Sequence, residues 1–84
     1  MRKFETTIEG HRITMEYSLY TGKERISYDG RIVSEKRSLQ MITPHSFRVQ
    51  EAGQEIVYEV NLLTGFLTYG FIVRRNGIIV AHKP

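Results

Sequence analysis

Along residues 12–19, Ile13, Met15, Tyr17 and Leu19 alternate with Arg12, Thr14, Glu16 and Ser18. That strict period of two predicts a strand with one dry face. Phe4, Thr6 and Ile8 alternate in the same way, and Glu9-Gly10 offers a turn, so the two segments predict a first hairpin. Asp29-Gly30 then sits between Arg25-Ile26-Ser27-Tyr28 and Arg31-Ile32-Val33, and Asn76-Gly77 between Phe71-Ile72-Val73 and Ile78-Ile79-Val80. A two-residue type I′ turn needs φ > 0 at both central residues, which Asn, Asp and Gly tolerate, so each dipeptide predicts a tight hairpin.

The segments between these hairpins complete the pattern. Thr21-Gly22-Lys23 breaks the chain before the Asp29-Gly30 hairpin, whose return strand is expected over residues 31–39. Pro44 lacks a ladder donor and disfavours helix at Thr43, so residues 40–46 are expected to be a loop. Residues 47–50 predict a short strand ended by Ala52-Gly53. Residues 55–63 follow, with Ile56, Tyr58, Val60 and Leu62 on one face. Their Gln, Glu and Leu would suit a helix, but Val57, Tyr58 and Val60 favour a strand and Gly53 and Gly65 bracket a strand-sized length. Thr64-Gly65 turns into residues 66–75, where Leu67, Tyr69, Phe71 and Val73 share a face, and residues 78–82 close the chain.

The result is about eight short strands at roughly ten-residue spacing, the cadence of a single small antiparallel β-sandwich or flattened barrel. The expected core is Phe4, Ile13, Met15, Tyr17, Ile26, Phe47, Ile56, Tyr58, Val60, Leu67, Tyr69, Phe71, Val73 and Val80. Both halves run Thr-Gly and then Asx-Gly before an aliphatic return strand, a recurrence that hairpin turn chemistry itself produces.

Composition narrows the class further. Eighty-four residues suit one domain, expected over residues 1–84, near the size at which a single core suffices. With no cysteine there is no disulfide framework, thiol nucleophile or Cys-based zinc site, which fits a cytoplasmic location. No apolar run approaches the ~20 residues of a membrane span, and the first residues do not form a signal-peptide core. Twelve Lys and Arg are interspersed with nine carboxylates, a net charge of +3 that points only weakly to nucleic acid.

Site chemistry is sparse. His11, His45 and His82 are not at ligand spacing, so no metal or other cofactor is expected. His11 falls at the start of the Ile13 face, and His82 is expected opposite Phe71. Glu9 and Glu16, and Glu51 and Glu55, read as solubilising residues on polar faces. No nucleophile elbow or glycine-rich phosphate loop occurs, so no enzyme and no small-molecule site are expected. Tyr17, Tyr20, Tyr28, Tyr58 and Tyr69 could form a base-stacking platform, but Tyr17, Tyr58 and Tyr69 fall on dry faces.

The succession Thr21-Gly22-Lys23, Tyr28-Asp29-Gly30-Arg31, Glu35-Lys36-Arg37, Thr64-Gly65-Phe66, Tyr69 and Arg75-Asn76-Gly77 resembles the Fas apoptotic inhibitory molecule family over roughly residues 20–83. The resemblance implies a non-enzymatic β-sandwich that acts through protein contacts.

The expected function is thus a small non-enzymatic interaction module, with a protein partner or self-association favoured. Its candidate surface is Ile72, Arg74, Arg75 and Ile79 on the second Asx-Gly hairpin, an apolar centre with a charged rim. The alternative is a weak electrostatic nucleic-acid binder that grips anions with Arg25, Arg31, Lys36 and Arg37. A continuous basic stripe would favour nucleic acid, and cations interleaved with Glu24, Glu35 and Glu55 would favour the protein module.

Overall fold

The computed structural model describes residues 2–18, 20–37, 42–64 and 69–83. Eight strands account for most of them: β1 (Arg2–Ile8), β2 (His11–Tyr17), β3 (Lys23–Tyr28), β4 (Arg31–Arg37), β5 (Ile42–Glu51), β6 (Gln54–Thr64), β7 (Tyr69–Arg75) and β8 (Ile78–Lys83). The all-β class follows from the alternation above. The strands pair in chain order as two four-stranded antiparallel meanders, β1-β2-β3-β4 and β5-β6-β7-β8. The chain divides at the same place into two compact units, Met1–Leu39 and Gln40–Pro84.

Each sheet buries one apolar face. In the first unit it carries Ile8, Ile13, Met15, Tyr17, Ile26 and Tyr28; in the second, Phe47, Ile56, Tyr58, Val60, Leu62, Phe71 and Val73. Phe4 and Tyr69 are half-buried. Expectations that fall on Leu19, Leu39, Gln40, Met41, Gly65, Phe66 and Leu67 lie outside the described residues.

Four tight turns close the hairpins, and all are left-handed at both central residues. Asp29-Gly30 has φ values of 50° and 83°, and Asn76-Gly77 has 50° and 84°, as type I′ turns require. Glu9-Gly10 and Ala52-Gly53 adopt the same conformation, with φ of 53° at Glu9 and 51° at Ala52.

The two Asx turns do more than reverse the chain. The Asp29 N–H donates to the Arg12 carbonyl at 2.8 Å, and the Arg12 N–H donates to Asp29 Oδ1 at 2.9 Å. Asn76 repeats this on Val57, with its N–H donating at 2.8 Å and its Oδ1 accepting at 3.0 Å. An antiparallel hydrogen-bonded pair exchanges two such bonds. Here a side-chain oxygen stands in for a backbone carbonyl, extending the β2-β3 and β6-β7 ladders by one pair.

The two units are therefore equivalent, and register makes the equivalence residue by residue. Met15 pairs with Ile26 as Val60 pairs with Val73, and Ile13 with Tyr28 as Tyr58 with Arg75. Each second hairpin also carries a bulge at the same place. Ile26 faces Ser34 while Ser27 faces Ile32, leaving Val33 extra; Val73 faces Ala81 while Arg74 faces Ile79, leaving Val80 extra. The units differ in their first hairpins. Two more residues separate the turn from the β6-β7 ladder (Gln54 to Tyr58) than from the β2-β3 ladder (His11 to Ile13).

Three expectations about the fold are corrected. Residues 42–46 are strand, because β5 begins at Ile42 and Pro44 sits in register with Asn61. β5 is an edge strand, where a missing N–H is tolerated, and Thr43, His45 and Phe47 alternate as buried residues straight through the proline. Val80 is 41% exposed and outside the core. The β8 bulge makes it the unpaired residue, and the same shift moves His82 from Phe71 to Ile72.

The turn geometry yields a paired prediction. Nothing lies within 4 Å of a Cβ built on Gly77, so Gly77→Val should cost about 1–2 kcal/mol purely through its left-handed backbone. Ala52→Asn, which relieves an alanine of the same conformation, should add about 0.5–1 kcal/mol. Urea denaturation measures both; a Gly77→Val protein as stable as wild type would contradict the turn assignment.

Candidate functional site

Strand alternation gives each sheet a second face, opposite the buried one, and the equivalence of the units allows these faces to be compared row by row. Across the first sheet runs Lys3–Glu16–Arg25–Glu35, alternating in sign from strand to strand. Opposite charges directly across a ladder are favourable, and Arg25 Nε donates to Glu35 Oε2 at 2.8 Å while Lys23 Nζ lies 3.5 Å from Glu35. The Glu35 hydrogen bond raises the Arg25 pKa, and the Arg25 hydrogen bond lowers that of Glu35.

The corresponding row of the second sheet is Pro44–Asn61–Ile72–His82. It carries neither a lysine or arginine nor a carboxylate. Where the first sheet has the Arg25–Glu35 ion pair, the second has Ile72 opposite His82. Around that pair Leu63, Ile72, Ile79, His82 and Lys83 line an open apolar groove of about 370 Å³. Ile79 is 52% exposed, matched by its counterpart Ile32 at 54%, so Ile79 alone does not set the sheets apart. The difference lies in Ile72, His82 and Leu63, whose place relative to Leu62 is taken in the first unit by Ser18 after Tyr17.

The structure places the sequence candidates unequally. Ile72 and Ile79 share the groove, and Arg74 lies on the same face, in register with Ile79 and Glu59. Arg75 turns to the opposite side. Its Nε and Nη2 donate to Glu51 Oε1 at 3.2 and 2.8 Å, and the Tyr58 hydroxyl donates to Glu51 Oε2 at 2.6 Å. Glu51, expected on a polar face, is buried. The longer arms of the β5-β6 hairpin carry it over the Tyr58–Arg75 pair, a consequence of strand length that residue type does not announce.

Of the anion candidates, Arg25 is engaged by Glu35, while Arg31, Lys36 and Arg37 are exposed on β4. Lys36 faces the buried Glu24, and Arg48 lies 3.4 Å from Glu55. Cations and carboxylates are thus interleaved. Tyr17, Tyr28 and Tyr58 are buried and form no stacking platform.

The histidines divide three ways. His45 is 1% exposed on the β5 inner face, and His82 borders the groove. His11 stacks on Tyr28 with ring centroids 5.0 Å apart, and its Nδ1 lies 2.7 Å from Asp29 Oδ2. That hydrogen bond, then the one from the Arg12 N–H, holds the Asp29 carboxyl below its usual range. Among the described residues, no group of three or more His, Cys, Asp or Glu is arranged to hold a metal ion. Sequence reading missed Leu63, His82 and Lys83 as groove residues. The β8 bulge brings His82 into this face, and Leu63 reads as the end of a strand.

No family model matches the chain, and no curated protein is significantly similar to it.

The Glu51 cluster has a readable titration. Burial first, and the hydrogen bond to Glu51 second, push the Tyr58 hydroxyl up to about 12. Because the folded value lies above the ordinary one near 10, the stability it contributes is complete below about pH 10 and is lost as pH climbs to about 12. Tyrosinate absorbance should show a late-titrating group that vanishes in Tyr58→Phe. Glu51→Gln, which strips Arg75 of its counter-ion, should cost about 2–3 kcal/mol in urea denaturation. A Tyr58→Phe protein with an unchanged titration curve would contradict the cluster.

Proposed function

We propose that the chain is a non-enzymatic protein-interaction module whose recognition surface is the Leu63–Ile72–Ile79 groove of the second sheet. One observation carries this reading. The same position on the equivalent first sheet is occupied by the Arg25–Glu35 ion pair, so the meander does not require an apolar row there. Half-buried Leu63 and Ile72 beside the exposed Ile79 make a contiguous aliphatic cluster that the fold does not need, and such a cluster rimmed by polar groups is the usual composition of a contact surface. The resemblance to the Fas apoptotic inhibitory molecule family, whose members act through protein contacts, points the same way.

The nucleic-acid reading draws less support. Arg25 is neutralised by Glu35 and Arg75 by Glu51, which leaves interleaved signs in place of a continuous basic stripe. Counterion release, the main source of non-specific affinity, scales with the number of cations free to meet phosphates.

The first sheet supplies its own control variant. Ile72→Arg combined with His82→Glu writes the Arg25–Glu35 pair onto the second sheet, and it should keep the fold within about 1 kcal/mol because that pair already stands at this position. A benzophenone side chain introduced at position 79 should give a discrete photocrosslinked adduct in cells, and the double substitution should abolish it. The same probe at position 32 should give none. Equal adducts from both positions, or an adduct that survives the double substitution, would contradict the proposal.

A further inference from the structure

We infer that β1 is a dimerisation edge, through which two copies of this chain join by antiparallel pairing of their β1 strands about a two-fold axis at Phe4. This edge belongs to the first sheet and is separate from the groove. An outer strand presents unpaired N–H and C=O groups, and folded proteins interrupt such edges against pairing with another chain. β4 and β8 carry the bulges at Val33 and Val80, and β5 carries Pro44. β1 keeps an unshifted register with β2 over all seven of its residues. Among the described residues it is the outer strand with neither bulge nor proline.

Hydrogen-bond parity fixes what this edge offers. Arg12 spends its N–H and its carbonyl on Asp29, so both point toward β3 and away from Thr7, its partner on β1. Thr7–Arg12 is therefore a non-hydrogen-bonded pair. Alternation along β1 then turns the backbone groups of Lys3, Glu5 and Thr7 outward, while those of Arg2, Phe4 and Thr6 face β2. The side chains of Lys3, Glu5 and Thr7 are exposed. In the second sheet the position equivalent to Lys3 is Pro44, which has no N–H to offer. The first unit keeps an outward donor where the second lacks it.

Charge then selects the register. Outward groups meet only outward groups, so Lys3, Glu5 and Thr7 pair among themselves and the two-fold axis passes through a single residue. A centre at Lys3 or at Glu5 sets identical charges opposite each other, which opposes pairing. A centre at Thr6 sets Glu5 opposite Thr7 and carries Lys3 past the strand, to the turn residue Glu9. A centre at Phe4 sets Lys3 of each copy opposite Glu5 of the other, with both backbone hydrogen bonds exchanged in each pair.

That register also continues the pattern of the sheet. The row Glu35–Arg25–Glu16–Lys3 meets Glu5 of the second copy and goes on alternating in sign. Lys3 Nζ lies 3.7 Å from Glu5 Oε1 along its own strand, so the axis closes these groups into a ring of alternating charges. On the other face, Phe4 is half-buried with its ring centroid 6.4 Å from that of Tyr17. It meets Phe4 of the second copy as a non-hydrogen-bonded pair, the closer kind, which extends the apolar face. Each copy contributes its β1, so assembly closes at the dimer, and the outer strands of the doubled sheet are the bulged β4 strands.

Sedimentation velocity of the full chain over a range of concentrations should show a monomer–dimer equilibrium. Lys3→Glu or Glu5→Lys alone sets like charges across the axis in both pairs and should weaken the dimer about tenfold or more. The double variant should restore it, and mixing the two single variants should restore it as a heterodimer. Lys3→Pro, which copies the edge of the second sheet and removes a donor that does not face β2, should abolish the dimer and leave the amide spectrum folded. In the unaltered chain, the Lys3 and Glu5 amides should resist hydrogen exchange at high protein concentration and lose that protection on dilution. A chain that stays monomeric at every concentration would overturn the inference. A dimer that survives Lys3→Pro, single variants that the double does not rescue, or concentration-independent exchange at Lys3 and Glu5 would overturn it equally and place any association elsewhere.

Discussion

Asp29 and Asn76 each close one hairpin with their backbone and bind the neighbouring hairpin with their side chain. A lone two-stranded hairpin is marginal in water, so a four-stranded meander depends on the join between its two hairpins. A side-chain oxygen that completes the ladder where the backbone has turned away fixes that join in register. Once register is fixed, alternation assigns every side chain to a face, because a slip of one residue would move each of them to the other side. The charge ladder of the first sheet and the uncharged row of the second both follow from this lock.

The units use different chemistry to reinforce it. In the first, His11 packs on Tyr28 and meets the free oxygen of Asp29. In the second, Asn76 carries no charge to attract a partner, and the extended β5-β6 hairpin supplies Glu51 to bind Tyr58 and Arg75. One arrangement is half-exposed and held by a single 2.7 Å side-chain contact. The other is buried and depends on a carboxylate that accepts three hydrogen bonds, so its loss costs more.

Much of this was legible in the sequence. The Asx-Gly turns, the alternation of β2 and β6, and the placing of Ile72, Arg74 and Ile79 on one face follow directly from periods of two and the demands of φ > 0. The bulges were not legible, because Val33 and Val80 are ordinary strand residues, and a bulge is recognised only when the partner's register is known. That one feature displaced Val80 from the core and brought His82 beside Ile72, adding a groove residue the pattern had assigned elsewhere. Pro44 misled for a related reason. A proline argues against a central strand, and nothing local declares that β5 is an edge. The equivalence of the two halves was visible only as recurring turns, since different arm lengths hide it in the sequence.

The comparison that singles out the groove stands on the units being locked alike, so the most direct test is native-state hydrogen exchange at the Arg12 and Val57 amides. Both lie at the margin of their ladders, where a terminal N–H ordinarily exchanges by local fraying. The account predicts that each exchanges slowly, with a protection comparable to that of Met15 and Val60, and that Asp29→Ala releases Arg12 alone while Asn76→Ala releases Val57 alone. Fast exchange of either amide in the unaltered chain, or release of both by one substitution, would contradict it.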